Sequence, residues 1–319
     1  MTEMTSNRPA SHRTCVLMAC DTGYFPFATL LARQIADAFP DRSFDICILS
    51  NQDLPQIPLC EALGLRMLRF DMPEDWLALA TDKKITLAAY QRVVAPRLLA
   101  QDYDRILYLD SDILYQRGDI PALLALDLGG RPVAAVRNNS QMRKPARHQP
   151  EYKAAGLGPA PYFNSGVMLI DVAAYLAQDI ERKTMDFART DNETMRRKHD
   201  QSALNLALHD NWAELGPVWN WPSFHRFFFF AHFIDPCLVH FMSSRKPWRD
   251  ANGLYSARHV AIYTDHLSEL FPDLAAQMPA RPTMGHRPWT WTALYLLHAI
   301  DYRRMGRYVS QFKSDLELK

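Results

Sequence analysis

The chain has 319 residues, of which 36 are Lys or Arg and 35 are Asp or Glu, so its net charge is +1 and a general nucleic-acid binder is excluded. The segment before Thr14 is polar and no apolar run approaches the ~20 residues of a membrane span, which predicts neither a secretory signal nor a spanning helix. Five scattered cysteines indicate buried thiols in a reducing compartment rather than a disulfide framework, so we expect a cytoplasmic protein.

The first seventy residues alternate between predicted strands and helices. Apolar runs at 14–20, 44–49 and 66–70 predict buried strands, and a helix with Pro26 in its first turn follows the first of them. This alternation is typical of a nucleotide-binding α/β sheet. After the first strand, Asp21 could hydrogen-bond to a base or ribose and Tyr24 could stack on the ring. A plain surface turn before a helix explains the same two residues.

A predicted helix at 85–99, bent near Pro96, carries Arg92 shortly before the most informative segment. That segment, 105–112, is an apolar strand ending in Asp110-Ser111-Asp112. Because side chains alternate along a strand, the two carboxylates point to one side and Ser111 points away. Carboxylates at the carboxyl end of a strand form half of a site for Mg²⁺ or Mn²⁺. A solvated acidic turn is the alternative.

The middle of the chain predicts further polar residues at strand ends. After a helix at 121–126 and a strand at 132–136, the segment 137–161 is long, basic and poor in apolar residues, which favours a lid or binding loop. A strand at 163–171 follows, with three small or amide residues at its mouth: Asn164, Ser165 and Gly166. Gly166 allows the close approach of backbone or ligand. A helix is predicted from 172 to about 189.

Asp200 and Gln201 open another predicted helix, in which Asp200 has two interpretations. It is a plain helix N-cap, or it faces the same cavity as Gln201. The aromatic segments 219–221 and 224–230 are mostly core, although one or two rings could form the floor of a sugar site. A last strand at 237–241 contains His240, which taken alone is a core or edge residue. Lys246 follows six positions later, in a loop able to wrap anionic oxygens.

In this order and rough spacing the segments resemble glycosyltransferase family 8, the retaining, UDP-sugar-dependent enzymes of GT-A fold. The resemblance covers roughly 14–248 and is carried by Asp21, Tyr24, Arg92, LYLDSDIL (107–114), FNSGVMLI (163–170), HDQSALN (199–205), WNWP (219–222), His240 and Lys246-Pro247-Trp248. It implies an α/β protein with a Rossmann-like mixed sheet flanked by helices. The activity it implies is the transfer of galactose or glucose from a UDP-hexose to a glycan or glycolipid acceptor.

The resemblance also implies a role for each site residue. Asp110, Asp112 and His240 would ligate Mn²⁺, with Mg²⁺ as the second choice, since imidazole beside carboxylates favours Mn²⁺. Asp21 and Tyr24 would then bind uridine, and Lys246 would bind the diphosphate. The remaining residues would surround the phosphate and sugar: Arg92, Ser111, Asn164, Ser165, Asp200, Gln201 and Ser243. Three residues depart from the family pattern: Gly23 stands where many members have Asn, Ser165 for Ala, and Ser243 for Gly.

The chemistry expected from these residues is same-face attack by the acceptor. No carboxylate is an evident nucleophile under the anomeric carbon. Gln201, an amide, would stabilise positive charge, and Asp200 would hydrogen-bond to sugar hydroxyls. Two other classes compete: a sugar nucleotidyltransferase, which would have a Gly-rich phosphate loop after the first strand, and a catalytically weak homologue that binds UDP-sugar or glycan, which loss of the metal residues would favour.

The sequence divides into a catalytic domain at 14–250 and a helical, basic and aromatic extension at 251–319. Between 281 and 313 there are six Lys or Arg residues against Asp301 alone. Apolar residues at helical spacing and aromatic residues suited to an interface accompany them: Trp289, Ala293, Leu296, Leu297, Ile300, Trp291, Tyr295, Tyr302 and Tyr308. This pattern predicts attachment to an anionic membrane surface, as for an enzyme of lipopolysaccharide synthesis. A helix packed on the domain is the alternative.

Overall fold

The structure, a computed structural model, describes residues 4–77, 88–190, 199–223, 227, 230–242, 244–280 and 288–319. The strands are β1 Met4–Ser6, β2 Thr14–Ala19, β3 Asp45–Ser50, β4 Arg66–Phe70, β5 Arg105–Leu109, β6 Ile113–Tyr115, β7 Val133–Arg137, β8 Phe163–Asp171, β9 Ala213–Leu215, β10 Trp221–Pro222 and β11 Leu238–His240. The helices are α1 Phe25–Ala38, α2 Pro58–Ala62, α3 Glu74–Leu77, α4 Ala88–Leu98, α5 Ile120–Leu124, α6 Asn139–Arg143, α7 Pro150–Ala154, α8 Val172–Ala177, α9 Ile180–Ala188, α10 His199–Ala207, α11 Ala231–Ile234, α12 Ala257–Leu270, α13 Pro272–Ala275 and α14 Pro288–Val309.

The central sheet is mixed, with the strand order β1-β4-β3-β2-β5-β8-β7-β9. Strands β4, β3, β2 and β5 are parallel, and β8 is antiparallel to both of its neighbours, β5 and β7. The apolar runs form strands because they are covered on both faces. In β2, Val16 and Met18 pack into one layer, Cys15 and Leu17 pack into the opposite layer, and all four are fully buried.

A small second sheet, with the order β10-β11-β6, sets the position of the residues after β5. The chain leaves the central sheet after Leu109 and enters β6 at Ile113, so Asp110 to Asp112 form the connection between the two sheets. Strand β11 is antiparallel to β6, with His240 opposite Ile113. The backbone N–H of Phe241 also donates to Asp112 O at 3.0 Å. This register brings His240 next to a carboxylate that is distant in sequence.

Two segments between 137 and 189 differ from expectation. The segment 137–161 is not an irregular loop throughout, because it contains α6 and α7; the buried Asn138 caps α6 by accepting from Ser140 N at 3.1 Å. The single helix expected over 172–189 is two helices, interrupted at Asp179, whose φ of 57° is incompatible with a continuous helix.

The C-terminal residues contact the rest of the molecule at several places. Helix α12 packs on α1, where Arg33 is ion-paired with Glu269 at 2.7 Å. Helix α14 packs on α6, and the Tyr308 hydroxyl donates to Glu214 Oε1 of β9 at 2.7 Å. Leu318 then pairs with the edge strand at Leu215. The division at residue 250 stays a prediction.

Helix α14 has one buried and one exposed face. Leu294, His298, Met305 and Tyr308 are buried against the domain, so the expectation that Tyr308 is an interfacial anchor is wrong. The outward face instead exposes four large apolar or aromatic side chains: Tyr295, Leu296, Ile300 and Tyr302. Residues 281–287 and the side chains of Trp289 and Trp291 lie outside the described part. In the described helices, none is both long and apolar enough to cross a bilayer.

Candidate active site

Asp110, Asp112 and His240 meet at the carboxyl edge of the central sheet. His240 Nε2 lies 3.0 Å from Asp112 Oδ1 and 3.6 Å from Asp110 Oδ2, and one ligand atom from each residue falls within 4.8 Å of the others. Two carboxylates and an imidazole in this arrangement fit a divalent cation such as Mn²⁺ or Mg²⁺. The residues that the sequence predicts as metal ligands are therefore brought together; their binding of a metal stays a prediction.

The imidazole of His240 is oriented from behind by Asn220. His240 Nδ1 lies 2.9 Å from Asn220 Oδ1. Since an amide oxygen only accepts hydrogen bonds, Nδ1 carries a proton, and Nε2 is the ring nitrogen that faces the two carboxylates. A hydrogen bond to the ring nitrogen that does not bind the metal fixes the tautomer and the orientation of a metal-binding histidine. Asn220 lies between two buried tryptophans, and sequence reasoning assigned that segment to the core.

Gly166 of β8 passes directly against the metal residues. The backbone N–H of Asp110 donates to Gly166 O at 2.8 Å. A Cβ at position 166 would lie 2.7 Å from Asp110 Oδ2 and 2.9 Å from His240 Nδ1, which is closer than atoms in contact can be. The predicted close approach at this glycine is thus an approach of backbone to Asp110 and His240, and only a residue without a side chain leaves room for the triad.

Lys246 is buried beside the triad on the side of Asp112. Its Nζ donates to Asp112 Oδ2 and to Phe241 O, the latter at 2.6 Å. Burial alone would raise the pKa of Asp112, but His240 and Lys246 outweigh that effect and the pKa is lowered. Burial likewise opposes the charge on Lys246, yet Asp112 keeps its pKa above the ordinary value. The structure therefore holds a carboxylate and an ammonium, both ionised, at the predicted diphosphate position.

Arg92 joins the metal residues to the residues of α10. Its guanidinium is ion-paired with Asp110 at 2.9 Å and with Asp200 at 3.2 Å, and it donates to Ser165 O at 2.9 Å. It also lies 4.8 Å from the ring centre of Tyr108, whose hydroxyl donates to Asp110 Oδ1 at 2.9 Å. The predicted contact of Arg92 with the donor sugar is untested. Its observed contacts hold two carboxylates of the site, and Tyr108 is a supporting residue that sequence reasoning missed.

A chain of amide groups leads from α10 back to the metal residues. Asn164 Nδ2 donates to Gln201 Oε1 at 2.9 Å, and Asn164 Oδ1 accepts from Asn220 Nδ2 at 2.8 Å. Asp200 lies in the first turn of α10 and faces Arg92 and Ser165. Burial raises the pKa of the Asp200 carboxyl, against the opposing effect of Arg92. Asp200 and Gln201 therefore face the same cavity, as the functional interpretation of the sequence requires.

Two cavities meet at Arg92 and Asp110, which line both. The smaller, about 280 Å³, is lined by polar residues from the strand ends: Asp21, Tyr24, Ser111 and Asp112. The larger, about 690 Å³, is lined chiefly by amide, hydroxyl and charged residues: Asn138, Arg147, Asn164, Ser165, Asp200 and Gln201. Tyr24 has a half-exposed ring, and Asp21 Oδ1 accepts from Tyr24 N at 2.9 Å. Ser243 lies outside the described residues.

The chain is similar in sequence to known glycosyltransferases. The model of the family described as "Glycosyl transferase family 8" matches residues 15–252. General stress protein A of Bacillus subtilis is 32% identical over 203 residues, which cover 57% of this chain and 68% of that protein. Glycosyltransferase GlyF of Streptococcus pneumoniae is 27% identical, covering 74% of this chain and 57% of that protein. A lipopolysaccharide 1,3-galactosyltransferase of Salmonella typhimurium is 27% identical, covering 54% and 52%.

The fold is that of solved glycosyltransferase structures. A crystal structure of an active-site mutant of LgtC superimposes with a TM-score of 0.64 at 19% identity, covering 81% of this chain and 96% of that one. The galactosyltransferase LgtC in complex with donor and acceptor sugar analogs gives a TM-score of 0.63 at 20% identity, covering 88% and 99%. The expected α/β GT-A fold is thereby confirmed. This chain belongs to glycosyltransferase family 8 and is a hexosyltransferase.

Proposed function

We propose that this protein transfers galactose or glucose from a UDP-hexose to a glycan or glycolipid acceptor, with retention of anomeric configuration and dependence on Mn²⁺. The observation that carries the proposal is the meeting of Asp110, Asp112 and His240 at one point, with Asp110 lining both cavities. The smaller cavity has the aromatic and acidic residues that a uridine needs. The larger has amide and hydroxyl groups suited to the hydroxyls of sugars.

The donor would lie across the metal residues with its nucleoside in the smaller cavity. There Tyr24 would stack on the base and Asp21 would accept from a base N–H or ribose hydroxyl. Ser111 supports this placement, because the residue lines the same cavity and its buried Oγ has no hydrogen-bond partner in the described structure. Ser243, which would follow the diphosphate, is the one proposed binding residue without a described position.

Leaving-group stabilisation would come from the triad and Lys246. A divalent cation on Asp110, Asp112 and His240 would act as a Lewis acid toward the departing diphosphate. Lys246, charged and next to Asp112, would donate to a diphosphate oxygen. Gly166 supports this arrangement. Its backbone lies directly against the carboxylate and the imidazole, and any side chain at this position would collide with both.

The sugar would be held by residues of the larger cavity. Asp200, kept in place by Arg92 and Ser165, would accept from donor hydroxyls. Asn164 would donate through its second N–H, since its Oδ1 already accepts from Asn220 and Gly166. The Gln201 carbonyl, already aligned by Asn164, would face the positive charge that develops on the anomeric carbon. Because Asp200 is ion-paired with Arg92 and Gln201 is an amide, neither is suited to act as a nucleophile, and the acceptor would attack from the face that UDP leaves. A trapped glycosyl adduct on Asp200 or Gln201 would refute this step.

The relatives support the choice of substrates. One is named a lipopolysaccharide 1,3-galactosyltransferase, and LgtC was solved with donor and acceptor sugar analogs. A catalytically weak binder of UDP-sugar or glycan is the alternative, and the complete triad disfavours it. A nucleotidyltransferase is less favoured still, because the turn from Asp21 to Tyr24 has no Gly-rich phosphate loop.

We also propose a cytoplasmic location at the inner face of the membrane, with 14–250 as the catalytic domain and 251–319 as the extension that attaches to anionic lipid. The outward face of α14 supports this, because Ile300 is 68% exposed and Phe233, on neighbouring α11, is 75% exposed. Arg303 flanks these apolar side chains and would contact a lipid phosphate.

The direct test is release of UDP from a panel of UDP-hexoses with Mn²⁺, with Mg²⁺ and with chelator, followed by product analysis with candidate lipopolysaccharide acceptors. We expect turnover of UDP-galactose or UDP-glucose with Mn²⁺ and a product of the same anomeric configuration as the donor. Binding of UDP-hexose without UDP release under any metal would favour the alternative function, a binding protein.

A further inference from the structure

A strongly basic cavity lies beside the larger cavity of the site. It has a volume of about 720 Å³, lies between the turn after α6 and the second half of α14, and we call it the basic groove. Its lining contains no carboxylate and five cations: Arg143, Lys144, Arg147, Arg304 and Arg307. Asp301, behind the lining, is 3.2 Å from Arg143 and 3.7 Å from Arg304, so one carboxylate serves two guanidinium groups.

The other three cations of the basic groove are Lys144, Arg147 and Arg307. Within the described residues, no carboxylate lies within ion-pair distance of Lys144, Arg147 or Arg307. Arg307 Nε donates only to a backbone carbonyl, Arg303 O, at 3.3 Å. Like charges gathered around one concave surface raise a positive potential there, and an anion lowers the free energy of such an arrangement.

The turn that carries Arg147 is held rigidly. The buried Gln141 donates through Nε2 to Arg147 O at 2.8 Å and to Ala160 O at 3.0 Å. Its Oε1 accepts from Tyr162 N at 2.7 Å, immediately before β8. Arg147 is thereby fixed relative to the strand that carries Asn164. The side chain itself is exposed, so its guanidinium extends into solvent from this fixed backbone position.

Arg147 connects the basic groove to the active site. It lines the groove and also the larger cavity, where it shares the wall with Asn164 and Gln201. A molecule bound in the larger cavity therefore meets the groove at Arg147. The donor diphosphate is matched instead by Lys246 and the triad, on the side of Asp112. The groove is thus suited to a part of the acceptor.

On the basis of the proposed function, we propose that the basic groove binds a phosphate group carried by the acceptor, so that the acceptor is a phosphorylated saccharide. Guanidinium groups bind phosphate through two parallel N–H···O bonds. The ammonium group of Lys144 would add a further positive charge beside them. A phosphate on the acceptor would then fix how deeply the saccharide enters the larger cavity, and so which hydroxyl meets the anomeric carbon of the donor.

The test compares a phosphorylated lipopolysaccharide core saccharide with the same saccharide after chemical removal of its phosphates. Binding is measured by titration calorimetry without donor. We expect wild type to prefer the phosphorylated form by at least about tenfold, since each charge-assisted contact is worth about 1.5–3 kcal/mol, which converts to that factor or more. Lys144→Gln/Arg307→Gln should lose the preference. Arg303→Gln, the same charge change on α14 outside the groove lining, should keep it. Equal affinity of wild type for both saccharides would overturn the proposal.

A second arm separates this site from a lipid headgroup site and from the proposed function. If the double variant loses sedimentation with phosphatidylglycerol vesicles but binds both saccharides as wild type does, the groove recognises lipid and the proposal is wrong. Acceptor-free UDP release should be unchanged in the double variant, because neither residue lines the donor cavity. If no UDP-hexose is turned over at all, the proposed function fails while the calorimetry still decides the ligand of the groove.

Discussion

At the carboxyl edge of the central sheet, buried polar side chains are joined in one network, whereas α14 leaves a row of apolar side chains in solvent. In the first region Arg92, Asn164 and Asn220 each contact two or more residues of the site. In the second, Leu296 and Ile300 project outward from a helix held by its opposite face. The side chains of the candidate site are therefore strongly constrained in position, whereas those on the exposed face of α14 are weakly constrained.

The network should be most sensitive at the triad. Asp110→Asn or Asp112→Asn removes one charged oxygen ligand, and we expect transfer to fall by about a thousandfold or more, because the cation then neither binds well nor stabilises the leaving group. The fold should persist, since both residues lie at a strand exit and not in the apolar core. UDP release with Mn²⁺ measures the first effect and thermal unfolding the second. Near-normal turnover by either variant would contradict the assignment.

Asp200 is expected to have the next largest effect. Asp200→Ala removes an acceptor for sugar hydroxyls, and turnover of the UDP-hexose should fall about a hundredfold while affinity for UDP changes little. A stopped-time assay of UDP release measures turnover, and a titration with UDP measures affinity. Equal losses in both would indicate that Asp200 only stabilises the start of α10, and Asp200→Asn is the matched control for shape.

Asn220 tests whether the network positions His240. Asn220→Ala frees Nδ1 and lets the ring turn, so we expect Mn²⁺ affinity to fall about 10–100-fold, which is typical for loss of such a contact. Asn220→Asp retains an oxygen acceptor for Nδ1, so this variant should keep most of the Mn²⁺ affinity. The readout is Mn²⁺ titration by calorimetry, which does not depend on turnover. An unchanged Mn²⁺ affinity would show that the ring is held by packing alone.

Helix α12, which like α14 belongs to the C-terminal residues, should make stability depend on pH through His266. Burial, assisted by Arg33, lowers the pKa of His266 to about 4, and its Nε2 lies 3.0 Å from Pro26 O. The unfolded chain, with an ordinary pKa of 6.5, takes up a proton first. Stability is thus full above pH 6.5 and is lost as the pH falls toward 4, by roughly 1–2 kcal/mol at pH 5. Denaturant unfolding should show a weaker pH dependence in His266→Gln.

The smallest effect on the fold is expected at the exposed face of α14. Leu296→Glu/Ile300→Glu should lower sedimentation with anionic liposomes several-fold and leave the melting temperature unchanged, since both side chains are already in solvent. Cutting the chain after Met278 is a poorer test, because it also removes the Tyr308 to Glu214 hydrogen bond and the pairing of Leu318. Equal liposome binding by variant and wild type would exclude this face as the anchor.

The sequence predicts the position of a site residue where the local sequence around it already indicates a strand end or a tight approach. The apolar strand before Asp110 and the glycine after Asn164 locate both at a sheet edge, and the resemblance added His240. Asn220 was missed because its role depends on the register between β10, which it precedes, and β11, and no local pattern encodes that register. The short helices α6 and α7 were missed because each has little more than one turn.

The triad joins the two sheets, because Asp110 follows the central sheet and His240 ends a strand of the small one. A cation held by both would bind the folded chain and not the unfolded one, so mass action would shift the folding equilibrium. At a free Mn²⁺ concentration a hundred times the Kd, the folded state gains about 2.7 kcal/mol. The melting temperature should then rise with added Mn²⁺ in the absence of any sugar. The lifetime of the protein in a cell would thus follow the supply of metal, even while no substrate is being turned over.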